Sequence, residues 1–326
     1  MPRRMRSLGL AFLAGVSISD SAQAQDSPSG QMTIVVPFAA GGGVDTIARI
    51  VAEDLRAKWN VPVLVENLPG GSGMIAGQTL TNAEPDGQTL MLATAGELAV
   101  NTTLLSERLT YDVSEDFAPV ALAAMIPNVF VVNPSAPYDD VAGFLAAVRE
   151  NPGTMTYGSS GVGNPQHLTG ELFAHQAGVE LVHVPYRGSS QQVLDTMGGS
   201  IDGTFASAAA VLGNVRDGTL KAIGVTSKEP LELLPDVPPI NATEGLEGFE
   251  LVNWFGFVTK AGVPEEKLDA LHAAIEESLA SEATSTRLEA IGAQFVPMSR
   301  TDFGTFIETE TRTFGQIIET ANIQPE

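Results

Sequence analysis

No cysteine occurs among the 326 residues of the sequence. Without a thiol the chain can form no disulfide bridge, and it cannot carry the lipid-modified cysteine that anchors bacterial lipoproteins. We therefore expect the folded protein to be held together by its hydrophobic core alone.

Basic residues are also scarce: 17 lysines and arginines stand against 39 aspartates and glutamates, which gives a formal net charge of −22. Such a surface repels nucleic acid and anionic membranes, so no nucleic-acid partner is expected. It also repels a free anion at long range. Any anionic ligand must then be held by backbone dipoles close to it rather than by the overall field of the protein.

The N-terminus has the three parts of a secretory signal peptide. Three arginines among the first six residues precede an apolar run from Leu8 to Ile18, and Ala22-Gln23-Ala24 forms a small-x-small cleavage site. An uncleaved membrane anchor is the alternative, but polar residues follow the run directly and the run is too short to span a bilayer. We therefore predict that residues 1–24 are removed near Ala24 and that the protein is exported.

Short apolar runs bounded by Gly, Pro, Asn or Asp alternate with helical patterns, which is typical of an α/β fold. The predicted strands are Thr33–Phe38, Val63–Glu66, Thr89–Ala93, Val129–Asn133, Thr156–Gly158, Leu181–Val184, Gly203–Ala206, Lys221–Thr226 and Phe249–Val258. The predicted helices are Asp45–Trp59, Met74–Asn82, Val141–Glu150, Gln166–Ala177, Ser190–Met197, Ala208–Arg216, Pro264–Ala280, Glu282–Ile291 and one that begins near Ser299. The length suits two domains without a low-complexity linker, so we expect them to interleave, with crossings near 124–129 and 248–254.

Four glycine-rich loops share one pattern. The stretch IVVPFAAGGGVDTIARIVAEDL, from Ile34 to Leu55, contains a strand, three consecutive glycines and the start of a helix. The loops within Val65–Gly77, Tyr157–Phe173 and Val184–Leu194 repeat this order. Backbone N–H groups at a helix N-terminus favour a carboxylate or phosphate. Glycine is common at any strand-to-helix turn, but several such loops at the same strand ends predict a ligand cleft.

Motifs for nucleotides, metals and nucleophilic catalysis are missing or incomplete. The triple-glycine loop lacks the lysine and hydroxyl residue of a Walker loop, and the G-x-G-x-x-A of 71–76 lies four residues beyond its strand, where a dinucleotide fold requires a direct turn. No G-x-S-x-G elbow occurs, and the four histidines lack the spacing of a metal site. We predict no cofactor, no metal site and no catalytic residue.

The histidines differ in their positions along the pattern. His183 lies on an alternating strand and His272 on an amphipathic helix, so both are interpreted as structural. His167 falls in the first turn of the helix after the loop SSGVGN, where it either lines a cleft or caps the loop.

Seven motifs follow one another along the chain between Thr33 and about Ile323. They are IVVPFAAGGGVDTIAR, VLVENLPGGSGMIAG, AEPDGQTLMLAT, DFAPVALAA, YGSSGVGNPQHLTGELF, HVPYRGSSQQVLDTMGGSID and VNWFGFVTKAGVP. In this order they resemble the extracytoplasmic solute-binding receptors of tripartite tricarboxylate transporters, the Bug or TctC-type family. The resemblance implies a two-lobed, type II-like periplasmic binding-protein fold, with two Rossmann-like α/β lobes joined by crossing strands. Lobe 1 would be 25–127 plus 249–326, and lobe 2 would be 128–248.

The resemblance also implies that a small carboxylate lies between the lobes, gripped by backbone N–H groups, hydroxyls and ordered waters. The candidate ligand-binding residues of the first lobe are Phe38, Ala39, Ala40, Gly41, Gly42, Asp45, Thr94 and Glu97. Those of the second lobe are Ser159, Gly161, Val162, Gly163, Asn164, His167, Arg187 and Ser207. Asp45 is expected to orient its loop and cap its helix rather than touch an anion. Arg187 either helps to balance the ligand's charge or lies on the surface, and Trp254 is either a cleft wall or, as favoured, a core residue.

Three departures from the family pattern bear on the ligand. Asn164-Pro165 stands where small hydroxyl residues are usual, and Ala206-Ser207 stands where an acid and an amide often stand. Glu97 replaces a small polar residue beside the expected pocket, where a carboxylate would disfavour a second ligand carboxylate or pair with a ligand amine or hydroxyl. A citrate-like ligand is therefore disfavoured, and a monocarboxylate, an aromatic acid or an amino-bearing acid is favoured.

Together these expectations describe a periplasmic receptor, monomeric and without a cofactor, that closes on a small organic acid and presents it to the membrane permease of a tripartite tricarboxylate transporter. A ligand-sensing subunit that signals to a membrane kinase would bind in the same way and is the alternative. A secreted hydrolase ranks third, because the sequence offers no nucleophile, base or metal constellation for it.

Overall fold

The computed structural model describes residues 30–320 and 322–325, so the predicted signal peptide with its cleavage site near Ala24 lies outside the described residues. The strands are β1 (Met32–Val36), β2 (Val63–Asn67), β3 (Thr89–Thr94), β4 (Phe117–Val132), β5 (Thr156–Ser159), β6 (Val182–Pro185), β7 (Gly203–Ser207), β8 (Lys221–Val225) and β9 (Val252–Lys260). The helices are α1 (Gly43–Trp59), α2 (Met74–Thr81), α3 (Asn101–Leu104), α4 (Val113–Asp116), α5 (Val141–Glu150), α6 (Pro165–Ala177), α7 (Ser189–Gly198), α8 (Ala208–Arg216), α9 (Glu265–Ala280), α10 (Glu282–Glu289) and α11 (Arg300–Thr320).

The strands form one mixed sheet in the order β2-β1-β3-β9-β4-β7-β5-β6, and β8 pairs with β4 beside this path. Strands β1, β2 and β3 pair in parallel in what we call the first half, as do β5, β6 and β7 in the second half. Strand β9 belongs to the first half and β8 to the second, and both run antiparallel to β4. Parallel strands need helical crossovers, which explains the alternation of strands and helices along the chain. Among the described residues, no helix combines the length and apolar composition needed to cross a membrane.

Strand β4 belongs to both halves. As far as Pro127 it pairs with β9, and from Asn128 onwards it pairs with β7 and β8. The chain returns to the first half near Leu251, whose N–H donates to the carbonyl of Thr226 just before Val252 joins β9. Both predicted crossing segments are therefore confirmed, as is the α/β class of the fold. The limits of the two lobes stay a prediction.

Most predicted elements are present with ends that differ by a few residues, but the prediction for β4 was wrong in its extent. The strand was predicted from Val129 and begins at Phe117. Proline removes a ladder hydrogen bond and so argues against a central strand, and this segment contains Pro119 and Pro127. The structure accommodates the first of them with an irregular register between Pro119 and Ala121. Helix α3, which continues a π-helical turn over Gly96–Val100, was not predicted. The short helix α4 was not predicted either, because four residues show no periodic pattern.

Aromatic side chains fill the core on each side of β4. In the second half, the ring of Phe130 stacks on that of Phe205 with centroids 4.3 Å apart. In the first half, Trp254 is fully buried, its ring packs edge-on against Phe303, and its Nε1–H donates to Glu310 at 2.9 Å. Trp254 is thus a core residue, as the sequence favoured.

The contact between Gly256 of β9 and Phe303 of α11 leaves no room for a side chain, since a Cβ at Gly256 would overlap the aromatic ring. We expect Gly256→Ala to lower the free energy of unfolding by about 1–3 kcal/mol, measured by urea denaturation, because overpacking displaces the ring or the strand. The matched control is Gly304→Ala beside it on α11, where the nearest atom to the new Cβ is 3.7 Å away. Equal urea midpoints for the two variants would contradict this account of the packing.

Candidate ligand-binding site

The triple-glycine loop between β1 and α1 is held in place by Asp45. The Asp45 carboxylate is buried in the first turn of α1 and accepts hydrogen bonds from Gly41 N (2.9 Å), Asn67 Nδ2 (3.0 Å) and Arg49 Nε (3.0 Å). Burial by itself would raise the pKa of Asp45, but the hydrogen bonds from Arg49, Gly41 and Asn67 hold that pKa below its ordinary value. Asp45 therefore orients the loop, as the sequence indicated. The predicted helix cap was wrong, because the backbone N–H that its carboxylate binds is that of Gly41, which precedes the helix.

Hydrogen bonds of polar side chains hold the second-half loop between β5 and α6 in place. The hydroxyl oxygen of Ser159 lies 2.6 Å from Nε2 of His183 and accepts a hydrogen bond from the N–H of Gly161 at 3.1 Å. The side chain of Asn164 accepts from the N–H of Gln166 at 2.8 Å and so caps α6. These bonds fix the path of the loop.

Two stacked imidazole rings pack against this loop. The ring centroids of His167 and His183 are 4.2 Å apart, and the N–H of Gly163 points at Nδ1 of His167 at 3.4 Å. Burial lowers the pKa of His183 to about 4, so this ring is neutral at neutral pH. Of the two roles predicted for His167, its placement favours capping the loop. The hydrogen bond between Ser159 and His183 was not predicted. Neither residue lines the cavity described next.

A cavity lies where the two halves meet. From the first half it is lined by Phe38, Gly42, Gly43, Val44, Thr94, Asn253 and Phe255, and from the second half by Ser160, Asn164, Pro165, Gln166, Ser189 and Ser207. Among the described residues, no group of three or more His, Asp or Glu side chains is placed to hold a metal ion.

Five of the candidate residues line this cavity directly: Phe38, Gly42, Thr94, Asn164 and Ser207. The other candidates lie around it, in the loops and in the layer of side chains behind them: Ala39, Ala40, Gly41, Asp45, Glu97, Ser159, Gly161, Val162, Gly163, His167 and Arg187. Their contact with a ligand stays a prediction. Ser189 follows a loop that the sequence had marked, whereas Asn253 and Phe255 carry no local signal, because only the pairing of β9 brings them here.

The two halves touch at the rim of the cavity. The N–H of Ala39 donates to the carbonyl of Arg187 at 3.3 Å, and the hydroxyl of Ser190 donates to the carbonyl of Ala40 at 3.2 Å. The contact at Arg187 is made by its backbone, and its side chain is exposed. The halves are therefore in a closed arrangement.

Three helix N-termini meet at the cavity without a capping side chain. Helices α1, α7 and α8 begin after Gly42, Gly188 and Ser207, and none of these residues makes a side-chain hydrogen bond to its helix. The first N–H groups of a helix have no partner within it, and aligned peptide dipoles make this end positive. The lining thus includes Gly43 and Ser189, the first residues of α1 and α7. This arrangement can bind a small anion through backbone donors.

Glu97 does not line the cavity itself but contacts Thr94, which does. The Glu97 carboxyl is buried, and its Oε2 accepts hydrogen bonds from Thr94 N (2.8 Å) and Thr94 Oγ1 (2.7 Å). Loss of hydration in this site raises the pKa of Glu97 to about 7, although the hydrogen bonds from Thr94 favour the ionised form. The structure thus shows Glu97 in contact with Thr94, and its effect on the ligand stays a prediction.

The raised pKa of Glu97 predicts a pH-dependent stability. Between the ordinary pKa of 4.5 and the folded value of about 7, the folded protein holds a proton that the unfolded chain has released. The free energy of unfolding should therefore fall as pH rises through this range, by roughly 3 kcal/mol relative to Glu97→Gln. Urea denaturation of both proteins between pH 4.5 and 8 measures the difference, in which the opposite contribution of His183 cancels. Parallel pH profiles would show that folding does not raise the pKa of Glu97.

Comparison with known proteins identifies the group to which this fold and site belong. A model of the tripartite tricarboxylate transporter family receptor matches residues 47–323. The Pseudomonas sp. protein named "UPF0065 protein in tcbD-tcbE intergenic region" is 35% identical over 316 residues, which cover 97% of this chain and 94% of that protein.

Two solved structures from Rhodopseudomonas palustris are also similar. One, a protein with adipate, is 31% identical with a TM-score of 0.88, and the match covers 92% of this chain and 99% of that one. The other, MatC with bound malate, is 27% identical with a TM-score of 0.84, covering 89% of this chain and 99% of that one. The resemblance drawn from the seven motifs is confirmed: the chain belongs to the Bug or TctC-type family of periplasmic solute-binding receptors of tripartite tricarboxylate transporters.

Proposed function

We propose that this protein captures a small organic carboxylate between its two halves in the periplasm and delivers it, as a monomer, to the membrane permease of a tripartite tricarboxylate transporter. The observation that carries the proposal is the convergence of the uncapped N-termini of α1, α7 and α8 on one cavity. Each supplies backbone N–H donors and the positive end of a helix dipole, which together suit a carboxylate.

The ligands of similar proteins support the same class of compound. The two similar structures hold adipate and malate, both small carboxylates. With a net charge of −22, the protein does not attract such anions at long range, so the grip is local.

Binding favours the closed arrangement because the ligand touches both halves at once. The N-terminus of α1 belongs to the first half, and those of α7 and α8 belong to the second. A ligand that interacts with all three gains more in the closed form than in an open one, and this difference in affinity shifts the population toward closure. The permease would then distinguish the loaded receptor by its shape.

The first experiment measures the melting temperature of residues 25–326 with adipate and with malate as probes. A ligand far above its dissociation constant should raise the melting temperature by several degrees, because it binds only the folded protein. Delivery is tested in the source bacterium, where deletion of the gene should abolish uptake of the acid that the purified protein binds. No shift with these or other small carboxylates would contradict the proposed capture, and unchanged uptake would contradict delivery.

Closure itself depends on Gly43, because a Cβ on this residue would lie 2.6 Å from Oγ of Ser207 in the other half. We expect Gly43→Ala to weaken carboxylate binding by about tenfold or more in calorimetry, since the halves can no longer close fully over the ligand. Gly213→Ala is the matched control, because nothing lies within 4 Å of a Cβ on that residue of α8. Equal dissociation constants for the two variants would show that this contact is not needed for binding.

A further inference from the structure

One wall of the cavity is a single face of the central sheet. Thr94 at the end of β3 pairs directly with Phe255 of β9. Asn253 lies two residues before Phe255, so its side chain is on the same face of the sheet. All three residues line the cavity. The hydrogen-bonding character of Thr94 and Asn253 therefore determines which polar groups of a ligand this wall accepts.

The single hydroxyl proton of Thr94 is already used within the protein. Thr94 Oγ1 donates it to Oε2 of Glu97 at 2.7 Å and accepts a hydrogen bond from the N–H of Gly96 at 3.0 Å. The same Oε2 also accepts from the backbone N–H of Thr94, so it acts as an acceptor whether or not the other carboxyl oxygen carries a proton. Toward the cavity, Thr94 can only accept.

A chain of hydrogen bonds sets the orientation of the Asn253 amide. The hydroxyl of Thr169 donates to the carbonyl of Pro165 at 2.7 Å, so it can only accept from Nδ2 of Asn128 at 3.2 Å. Oδ1 of Asn128 then faces the other way and accepts from Nδ2 of Asn253 at 2.6 Å. This direction leaves two groups of the Asn253 amide, its Oδ1 and the second hydrogen of its Nδ2.

That oxygen is an acceptor without a partner. Asn253 is only 4% exposed, and among the described residues its Oδ1 has no hydrogen-bond partner. A buried acceptor without a partner is unfavourable, and a ligand that donates to it removes this cost. The sheet wall thus offers acceptors at two positions, while the helix N-termini around the same cavity offer donors.

We propose that this wall makes the receptor selective for acids that carry a hydroxyl or amino group at the end away from the bound carboxylate, and against acids with a second carboxylate there. The inference rests on the proposed function, because one ligand carboxylate must occupy the helix N-termini. A second carboxylate has only lone pairs to present to the oxygens of Thr94 and Asn253 and finds a donor only in the second N–H of Asn253, whereas a hydroxyl or ammonium group donates a hydrogen bond to these oxygens.

Two series of acids of equal length test this selectivity on residues 25–326 by calorimetry. The four-carbon series is succinate, 4-hydroxybutyrate, 4-aminobutyrate and butyrate, and the six-carbon series is adipate, 6-hydroxyhexanoate, 6-aminohexanoate and hexanoate. In the series that fits the cavity, the hydroxyl- or amino-ended acid should bind at least about tenfold more tightly than the dicarboxylate and the methyl-ended acid, as expected for a buried polar group that gains its partner.

The possible outcomes separate the two proposals. Binding of a dicarboxylate or a methyl-ended acid as tightly as its hydroxyl- and amino-ended counterparts would overturn the selectivity and leave the proposed capture of carboxylates supported. Failure of every acid in both series to bind would overturn the proposed function and this inference with it.

A substitution of Thr94 tests whether the sheet wall causes this selectivity. Thr94→Val keeps the shape of the side chain and removes the acceptor, so it should reduce the advantage of the hydroxyl-ended over the methyl-ended acid about tenfold. Thr259→Val is the matched control, because Thr259 is an equally buried threonine of the same sheet whose hydroxyl donates to the carbonyl of Thr89, away from the cavity. If Thr94→Val binds the hydroxyl-ended acid more tightly than the methyl-ended acid by the same factor as the unchanged protein, Thr94 does not contribute to the selectivity.

Discussion

The hydrogen-bond ladder along β4 is the constraint on which the rest of the structure depends. One continuous strand, Phe117–Val132, pairs first with β9 and then with β7 and β8, so each half of the molecule is built onto the same backbone. Main-chain hydrogen bonds are directional, and they therefore set the position of one half relative to the other within narrow limits. The helix N-termini of the two halves face one cavity because this strand holds the sheets that carry them.

An acidic protein repels an anion at long range, so the groups that bind the anion must attract it at short range. The net charge of −22 opposes the approach of a carboxylate, and the carboxylate nearest the first loop, Asp45, accepts hydrogen bonds from Gly41, Asn67 and Arg49 instead of facing the cavity. Backbone N–H groups then supply the positive potential. Their effect is strong at contact distance and falls within a turn of helix, so it does not alter the repulsive field further away.

The buried polar side chains determine which hydrogen-bonding groups the cavity offers to a ligand. Each hydroxyl and amide around it has a limited number of hydrogen-bond donors. Glu97 accepts the hydrogen bond of Thr94 and Asn128 accepts one from Asn253, so two acceptor oxygens and one N–H remain on the sheet wall. Such networks cost free energy when a member lacks a partner, which is how a site of modest size distinguishes ligands that differ by one polar group.

The sequence by itself determined the order of strands and helices, the glycine-rich loops and the family, because apolar periodicity and glycine positions are local properties that can be read in a short window. It missed the first part of β4, where two prolines hide a strand that tertiary pairing enforces. It placed Thr94, Ser207 and Asn164 at the cavity but not Asn253, since the pairing of β9 with β3 joins residues about 160 apart. Only the tertiary structure decided that the Glu97 carboxyl turns toward Thr94, because the direction of a buried side chain depends on the donors that distant segments bring to it.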